Sequence, residues 1–163
     1  MPRSAVFPVE YPPVPAGLPT YRDMARAFHC RAGRAPGAHL VLIMAAALAA
    51  LHRVQPGSPC EISALRHEFA TRIDRWIAVN LPGRPGWSGP PRSPGGLADE
   101  MAAAQIAADR QCVAGAPVDA YRLRATQLRL GALAIAWTDL IAEISAAQPY
   151  PAAGEGRRRY PLR

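Results

Sequence analysis

The sequence predicts an all-α fold: an antiparallel four-helix bundle with a proline-rich N-terminal arm and a short extra N-terminal helix. Half of the 163 residues are apolar but only 7% are aromatic, so alanine and leucine, which favour helix, dominate. Apolar residues recur at steps of three and four along the long segments, as in amphipathic helices. Proline- and glycine-rich stretches separate these segments, and no alternating strand pattern competes with them.

Residues 1–37 are predicted to form the arm and the short helix. Five prolines lie in FPVEYPPVPAGLP, residues 7–19. Each removes a backbone donor and restricts the residue before it, which excludes regular helix. Thr20 followed by Asp23 is typical of a helix cap with an acid at the third position, so a short helix should begin there and extend to about His29.

Residues 38–148 are predicted to form the bundle, whose first long helix covers about 38–54. The second is marked by Ser58-Pro59-Cys60-Glu61, an N-cap serine, a proline at the first helical position and a glutamate that completes a capping box. That helix should continue to Pro82. Its apolar positions, at helical spacing, are Ile62, Leu65, Phe69, Ile73, Trp76 and Ile77.

The second half of the bundle begins after PGRPGWSGPPRSPGG, residues 82–96, which is predicted to be a long irregular loop. A third, alanine-rich helix is expected over about 97–113. The fourth should cover about 118–148, with Gly131 as a position where it can bend. Residues 149–163 are predicted to be a basic tail.

The net charge of +7 suggests nucleic-acid binding until it is placed along the chain. Residues 1–37 carry five Arg against two acids, and 151–163 carry four against one, so the ends supply +6 of the +7. Residues 38–150 carry ten against nine and are almost neutral. A nucleic-acid partner is therefore not expected. All 19 basic residues are arginine, which indicates a GC-rich, actinobacterial genome.

A cytoplasmic location is predicted, with no membrane partner. Three scattered cysteines, Cys30, Cys60 and Cys112, do not form a disulfide framework, which is typical of a reducing compartment. The apolar run LVLIMAAALAAL, residues 40–51, is about twelve residues long, whereas a membrane span needs roughly 20.

No metal or cofactor is predicted. A Glu-x-x-His pair, a Cys-x-x-Cys pair and a glycine-rich phosphate loop are all absent from the sequence. Cys60 falls in the first turn of a predicted helix, where the helix dipole favours a thiolate, but a cysteine at a helix start is more commonly just packed.

Candidate chemistry rests on histidines and arginines. His52 and His67 are the candidate acid–base residues, because histidine titrates near neutral pH. Arginine forks suit phosphate, sulfate and carboxylate groups. The arginines that could gather round an anionic substrate are Arg53, Arg66, Arg72 and Arg129.

The segment RIDRW, residues 72–76, is interpreted chiefly as a wall of the bundle. Asp74 faces alanines on its own helix, so a buried Asp74 would need a partner from another helix. An arginine of the fourth long helix, Arg122, Arg124 or Arg129, is the expected partner. A solvated surface charge and an anion site are the alternatives.

Aromatic residues on the arm and the loop are candidates for partner binding. They are Phe7 and Tyr11 on the arm and Trp87 on the loop. Exposed aromatic residues are common anchors at protein interfaces, and an extended arm can gain affinity by ordering on a partner.

Four segments occur in an order that can be compared with known sequences: LHRVQPG (51–57), RIDRWIAVNLP (72–82), MAAAQIAADRQ (101–111) and WTDLIAEI (137–144). With the I-D-R-W core, this order resembles a group of small actinobacterial proteins known only as a domain of unknown function. The resemblance covers roughly residues 39–147 and implies a helical fold. It supplies no catalytic residues. The arm and the longer loop depart from the pattern and are interpreted as partner-binding additions.

Two functions follow as hypotheses. The first is a helical subunit or adaptor of a heteromeric complex, expected in an actinobacterial natural-product biosynthetic assembly. The second is a small-molecule enzyme, or the catalytic half of one, with an arginine-lined anion site for an anionic or carrier-bound substrate. Substitution or elimination with an anionic leaving group would suit such a site, because fixed donors stabilise developing charge. The sequence leaves open whether the chain is an enzyme.

Overall fold

Five α-helices account for most of the computed structural model, which describes residues 17–29, 39–54, 59–86, 88–113 and 119–148. The helices are α1 (Tyr21–His29), α2 (Leu40–Arg53), α3 (Pro59–Asn80), α4 (Pro94–Val113) and α5 (Ala120–Ala147). These described ranges contain no strand, so the predicted all-α class is confirmed. The arm up to residue 16, Ser58, Trp87 and the basic tail from 149 lie outside the described residues.

The short helix α1 begins at the predicted cap. Thr20 donates its backbone N–H to Asp23 Oδ2 at 3.1 Å, and the Asp23 N–H donates to Thr20 Oγ1 at 3.3 Å. This reciprocal pair satisfies two amides at the helix start. Met24 and Phe28, one turn apart, are buried in the core.

Helices α2 and α3 form an antiparallel pair. Before α2, the buried ring of His39 accepts a hydrogen bond at Nδ1 from the Val41 N–H at 3.2 Å and packs against the Trp76 ring near the end of α3. Burial lowers the pKa of His39, against the opposing effect of the Gly17 carbonyl, so the capping ring is neutral at pH 7. At the other end of the pair, His52 and Arg66 share an acceptor on α4.

Helix α4 is the centre of the fold, because it packs against each of the other four helices. It begins three residues before the predicted Leu97. Ser93 acts as the N-cap, with its Oγ accepting from the Gly96 N–H at 2.9 Å, and Pro94 is the first helical residue. Gly95 lies so close to α3 that a Cβ built on it would be 1.9 Å from the Ala70 carbonyl oxygen.

Helix α5 packs on α4 and, more lightly, on α1, whereas no packing on α2 or α3 is seen among the described helices. Asp119 caps it by accepting from the Tyr121 and Arg122 amides, and it is continuous through Gly131. Its buried Trp137 donates from Nε1 to the Pro19 carbonyl at 2.9 Å. This bond fastens the segment before α1 to α5.

The core lies where α4 meets its neighbours. Its largest fully buried side chains come from all five helices: Trp137, Phe28, Met24, Leu48, Ile73, Leu97, Met101, Ile144 and Val41. Alanines at 45, 49, 98 and 102 are also buried, and their small side chains allow α2 and α4 to approach closely.

One described helix, α5, is long and apolar enough to cross a membrane when length and composition alone are considered. Only 28% of its most apolar window is buried. Mostly buried core helices of soluble proteins also pass this test, and one helix that passes it does not by itself indicate a membrane.

Candidate functional site

The most concentrated group of polar side chains is centred on Asp99 of α4. His52 Nε2 lies 2.8 Å from Asp99 Oδ1, and Arg66 binds both carboxylate oxygens, with Nε 3.0 Å from Oδ1 and one terminal nitrogen 2.5 Å from Oδ2. Three helices supply the three residues. We call His52, Arg66 and Asp99 the Asp99 cluster.

The position of each member follows from its helix. His52 lies in the last turn of α2, Arg66 near the start of α3 and Asp99 in the second turn of α4, where these three helices meet. The side chains of His52 and Asp99 are 15% and 18% exposed, and that of Arg66 is 35% exposed. The cluster is therefore partly shielded, with the arginine on its open side.

The electrostatics of the cluster favour an ionised Asp99. Burial raises the pKa of this carboxyl, but hydrogen bonds and charge from His52 and Arg66 outweigh it and lower the pKa to about 2. The hydrogen bond between Arg66 and Asp99 raises the pKa of Arg66. Because an ionised carboxylate only accepts, His52 Nε2 is the donor in this hydrogen bond.

Asp99→Asn is expected to destabilise the protein by about 1–2 kcal/mol at pH 7, because Arg66 and His52 lose a charged acceptor. The loss is not larger because Arg66 is partly solvated. The folded pKa of Asp99 lies below its ordinary value of 3.8, so this contribution is present above pH 4. It is lost as the pH falls toward 2. Urea unfolding at pH 7 and between pH 4 and 2.5 measures both effects.

Glu68→Gln is the matched control. Glu68 forms an exposed pair with Arg72 four residues later on α3, and its removal should cost no more than ~0.5 kcal/mol. If Asp99→Asn were as mild as this control, or if its cost did not shrink with acidification, the cluster would not be a stabilising network.

Other arginines hold the ends of helices. Arg53 donates to the Phe28 carbonyl at the end of α1, and Arg110 donates to the His52 carbonyl at 2.6 Å at the end of α2. Carbonyls at helix C-termini lack partners within the helix, so these side chains complete the two ends. The Arg110 contact also holds the turn that carries His52.

The structure brings two of the predicted site residues together, His52 and Arg66. His67 is exposed on α3 and is not among the hydrogen-bond partners of Asp99. Arg72 binds Glu68 and lies over the Phe69 ring, with 5.8 Å from guanidinium carbon to ring centroid.

The remaining predicted residues lie apart from the cluster or outside the described ranges. Arg53 caps α1, and Arg129 is exposed on α5, which does not pack on α2 or α3. An anion-binding role for these arginines stays a prediction. Phe7, Tyr11 and Trp87, predicted to bind a partner, lie outside the described residues.

The prediction that Asp74 pairs with an arginine of the fourth long helix is wrong. Asp74 Oδ1 accepts from the Gly95 N–H at 2.7 Å, and Oδ2 accepts from the Ser93 hydroxyl at 2.6 Å. A carboxylate is favoured at a helix N-terminus because the amides there lack helical partners and carry partial positive charge. Asp74 therefore joins α3 to the start of α4.

Sequence analysis missed Asp99, which holds the cluster together. Its partners are 33 and 47 residues away, so neither forms a local pattern with it. The signal that could have found it is an acid on an alanine-rich helix beside the core residues Leu97 and Ala98.

Comparisons with protein-family models, curated proteins and solved structures find no match. The resemblance to the actinobacterial group stays a prediction.

The described ranges offer few residues for metal binding or thiol chemistry. No group of three or more His, Cys, Asp or Glu residues there could hold a metal ion. Cys60 and Cys112 are both exposed free thiols, on α3 and α4.

A second surface feature is the outer face of α5. Tyr121, Leu128 and Ile135 are 83%, 66% and 65% exposed, although they lie on the helix that supplies Trp137 to the core. An open groove of about 550 Å³ runs along this face and is lined by Arg124, Gln127, Leu128, Gly131, Ala132 and Ile135. We call this surface, from Tyr121 to Ala142, the α5 outer face.

Proposed function

We propose that this protein is a helical subunit or adaptor that works within a protein complex, and that the α5 outer face is its docking surface. The observation that carries the proposal is the exposure of Leu128 and Ile135, which are each about two-thirds accessible and both line the groove. Apolar side chains arranged contiguously on a surface are typical of interaction sites, whereas isolated ones are not.

The packing of α5 supports this proposal. One side of the helix buries Leu133, Trp137, Leu140 and Ile144, and the opposite side meets no described helix. The predicted four-helix bundle is part of this proposal. In it, α5 packs on one side of α4, and α2 and α3 pack on its other sides. A rigid helix presented in this way suits recognition of a partner through a helix-packing surface.

The enzyme hypothesis is supported by one contact, the 2.8 Å hydrogen bond that orients His52 on Asp99. A carboxylate in this position fixes the tautomer of an acid–base histidine. However, Nε and one terminal nitrogen of Arg66 already bind Asp99, so the charge of this arginine is balanced by a carboxylate of the protein itself. Turnover of a small-molecule substrate that is lost in His52→Ala, with the fold intact, would favour the enzyme.

The docking proposal is tested by capture from lysate of the source organism with the full chain as bait. Replacing Leu128 and Ile135 together with glutamate should reduce recovery of a stoichiometric partner by at least ~30-fold, because charges would enter the centre of the interface. Quantitative mass spectrometry of the captured proteins measures this loss. Since both side chains are mostly exposed, the thermal midpoint should change little.

Val79→Glu provides the matched control. Val79 is an apolar residue of α3 that is 70% exposed, so the variant makes the same kind of change away from α5. It should retain the partner. Equal capture by the wild type and the Leu128/Ile135 double variant would rule out the α5 outer face as the docking surface.

A further inference from the structure

The α5 outer face has a seven-residue repeat. Tyr121, Leu128, Ile135 and Ala142 recur at this interval, and small residues lie between them at Ala125, Gly131 and Ala132. A seven-residue apolar repeat is the pattern of a helix that packs lengthwise against another helix. From Tyr121 to Ala142 the stripe is ~32 Å long at ~1.5 Å per residue.

The charges on α5 are separated along its length. The half before Gly131 carries Arg122, Arg124 and Arg129 and no acid, whereas the half after it carries Asp139 and Glu143 and no base. All five charged residues are exposed. Two such helices side by side repel if they are parallel and attract if they are antiparallel.

We propose that a second copy of this chain occupies the α5 outer face, with the two α5 helices antiparallel about a twofold axis between Gly131 and Ala132. The proposal rests on the proposed docking function and specifies the occupant. A twofold axis at this point places Leu128 opposite Ile135 of the partner subunit, and the reverse. The smallest residues of the stripe lie at the crossing point, where two backbones approach most closely.

Charge complementarity fixes this register. The same axis places Arg124 opposite Asp139 of the partner subunit, so the pair forms twice. Within the described part of the chain, neither Arg124 nor Asp139 forms an ion pair, and both are exposed. It also places Tyr121 opposite Ala142 of the partner subunit, which pairs the largest residue of the stripe with a small one.

The charges of Arg124 and Asp139 favour a protein over a lipid surface as the occupant of the α5 outer face. Arg124 and Asp139 lie on the stripe itself, near its two ends, and an ionised group is costly to bury in hydrocarbon without a partner. A second α5 supplies that partner at both positions. Since one pair of helices gives an interface at the small end of the usual range, we expect a dissociation constant in the micromolar range.

The test is sedimentation equilibrium of the full chain between ~1 and ~100 µM, with variants Arg124→Asp and Asp139→Arg. Each single variant places like charges together twice, and its dimer should weaken by about tenfold or more. An equimolar mixture of the two variants restores both pairs and should form heterodimers with near wild-type affinity. Arg75→Asp, which alters an exposed charge on α3, is the matched control and should leave the dimer unchanged.

The outcomes separate this inference from the docking proposal. A wild type that is monomeric at 100 µM overturns self-pairing, while capture of another partner through Leu128 and Ile135 would still stand. A dimer that is indifferent to both charge variants overturns the antiparallel register. Flotation of monomeric protein with phosphatidylglycerol vesicles, abolished by the Leu128/Ile135 double variant, would assign the face to lipid and also overturn the inference.

Discussion

Gly95→Ala is expected to destabilise the fold by ~3 kcal/mol or more and to lower the thermal midpoint by roughly 10 °C. The new Cβ would lie 1.9 Å from the Ala70 carbonyl oxygen and 2.5 Å from its carbon. These are backbone atoms of α3, so no side-chain rotation relieves the contact. The two helices must separate, which also strains the hydrogen bond from the Gly95 N–H to Asp74. Urea unfolding followed by circular dichroism measures the loss.

Gly131→Ala is the control for this prediction. Gly131 also lies within a helix, but a Cβ there would meet nothing within 4 Å. In dilute protein this variant should be stabilised by ~0.5–1 kcal/mol, because alanine favours helix over glycine. If the two variants behaved alike, the close approach of α3 and α4 at Gly95 would be wrong.

Trp137→Ala is expected to cost about 3–5 kcal/mol, the usual range for removing a fully buried aromatic side chain. Trp137 is 0% exposed, and it alone joins α5 to the segment before α1 through the Pro19 carbonyl among the described side-chain bonds. The loss should appear in urea unfolding. Trp137→Phe, which retains a ring but removes the donor, should cost less.

Tyr121→Ala is the comparison for Trp137. It also removes an aromatic side chain from α5, but Tyr121 is 83% exposed, so stability should change by no more than ~0.5 kcal/mol. Equal losses for the two variants would show that the side of α5 assigned to the core is incorrect.

Local signals predicted the all-α class and the starts of two helices. Thr20 with Asp23 and Pro59 mark helix starts, and the structure begins α1 and α3 at those points. A capping side chain bonds an amide two or three residues away, and proline has a backbone φ already suited to the first helical position, so both signals can be read from spacing alone.

The start of α4 was not predicted correctly because tertiary packing overrides local preference there. Gly95 and Gly96 read as part of a loop, since glycine is unfavourable within helices. In the structure, glycine is what lets α4 approach Ala70, and Asp74 supplies an acceptor for its first amides. Ser93-Pro94 repeats the signal that marks Ser58-Pro59 and could have located this start.

The candidate surfaces were harder to predict because both depend on which helices are neighbours. Spacing placed His52 and Arg66 on different helices, but nothing in it selected Asp99 as their shared acceptor. The α5 outer face is similarly hidden, because α5 is apolar on several sides and periodicity does not show which side is covered. Leu128 and Ile135 are exposed because α4 packs on the other side of α5, and this packing is seen only in the structure.

The central helix is the fourth of the five described helices, and this order has a consequence during synthesis. The apolar run of α2, with Val41, Ala45 and Leu48 fully buried in the finished fold, leaves the ribosome about fifty residues before α4 does. Domains generally fold as units as the chain emerges, and apolar surface exposed in the meantime is prone to aggregation. The side of α2 that packs on α4 therefore stays uncovered in the nascent chain until α4 arrives, even after α1 and α3 have emerged beside it. This makes α2 the segment that a chaperone would be expected to bind.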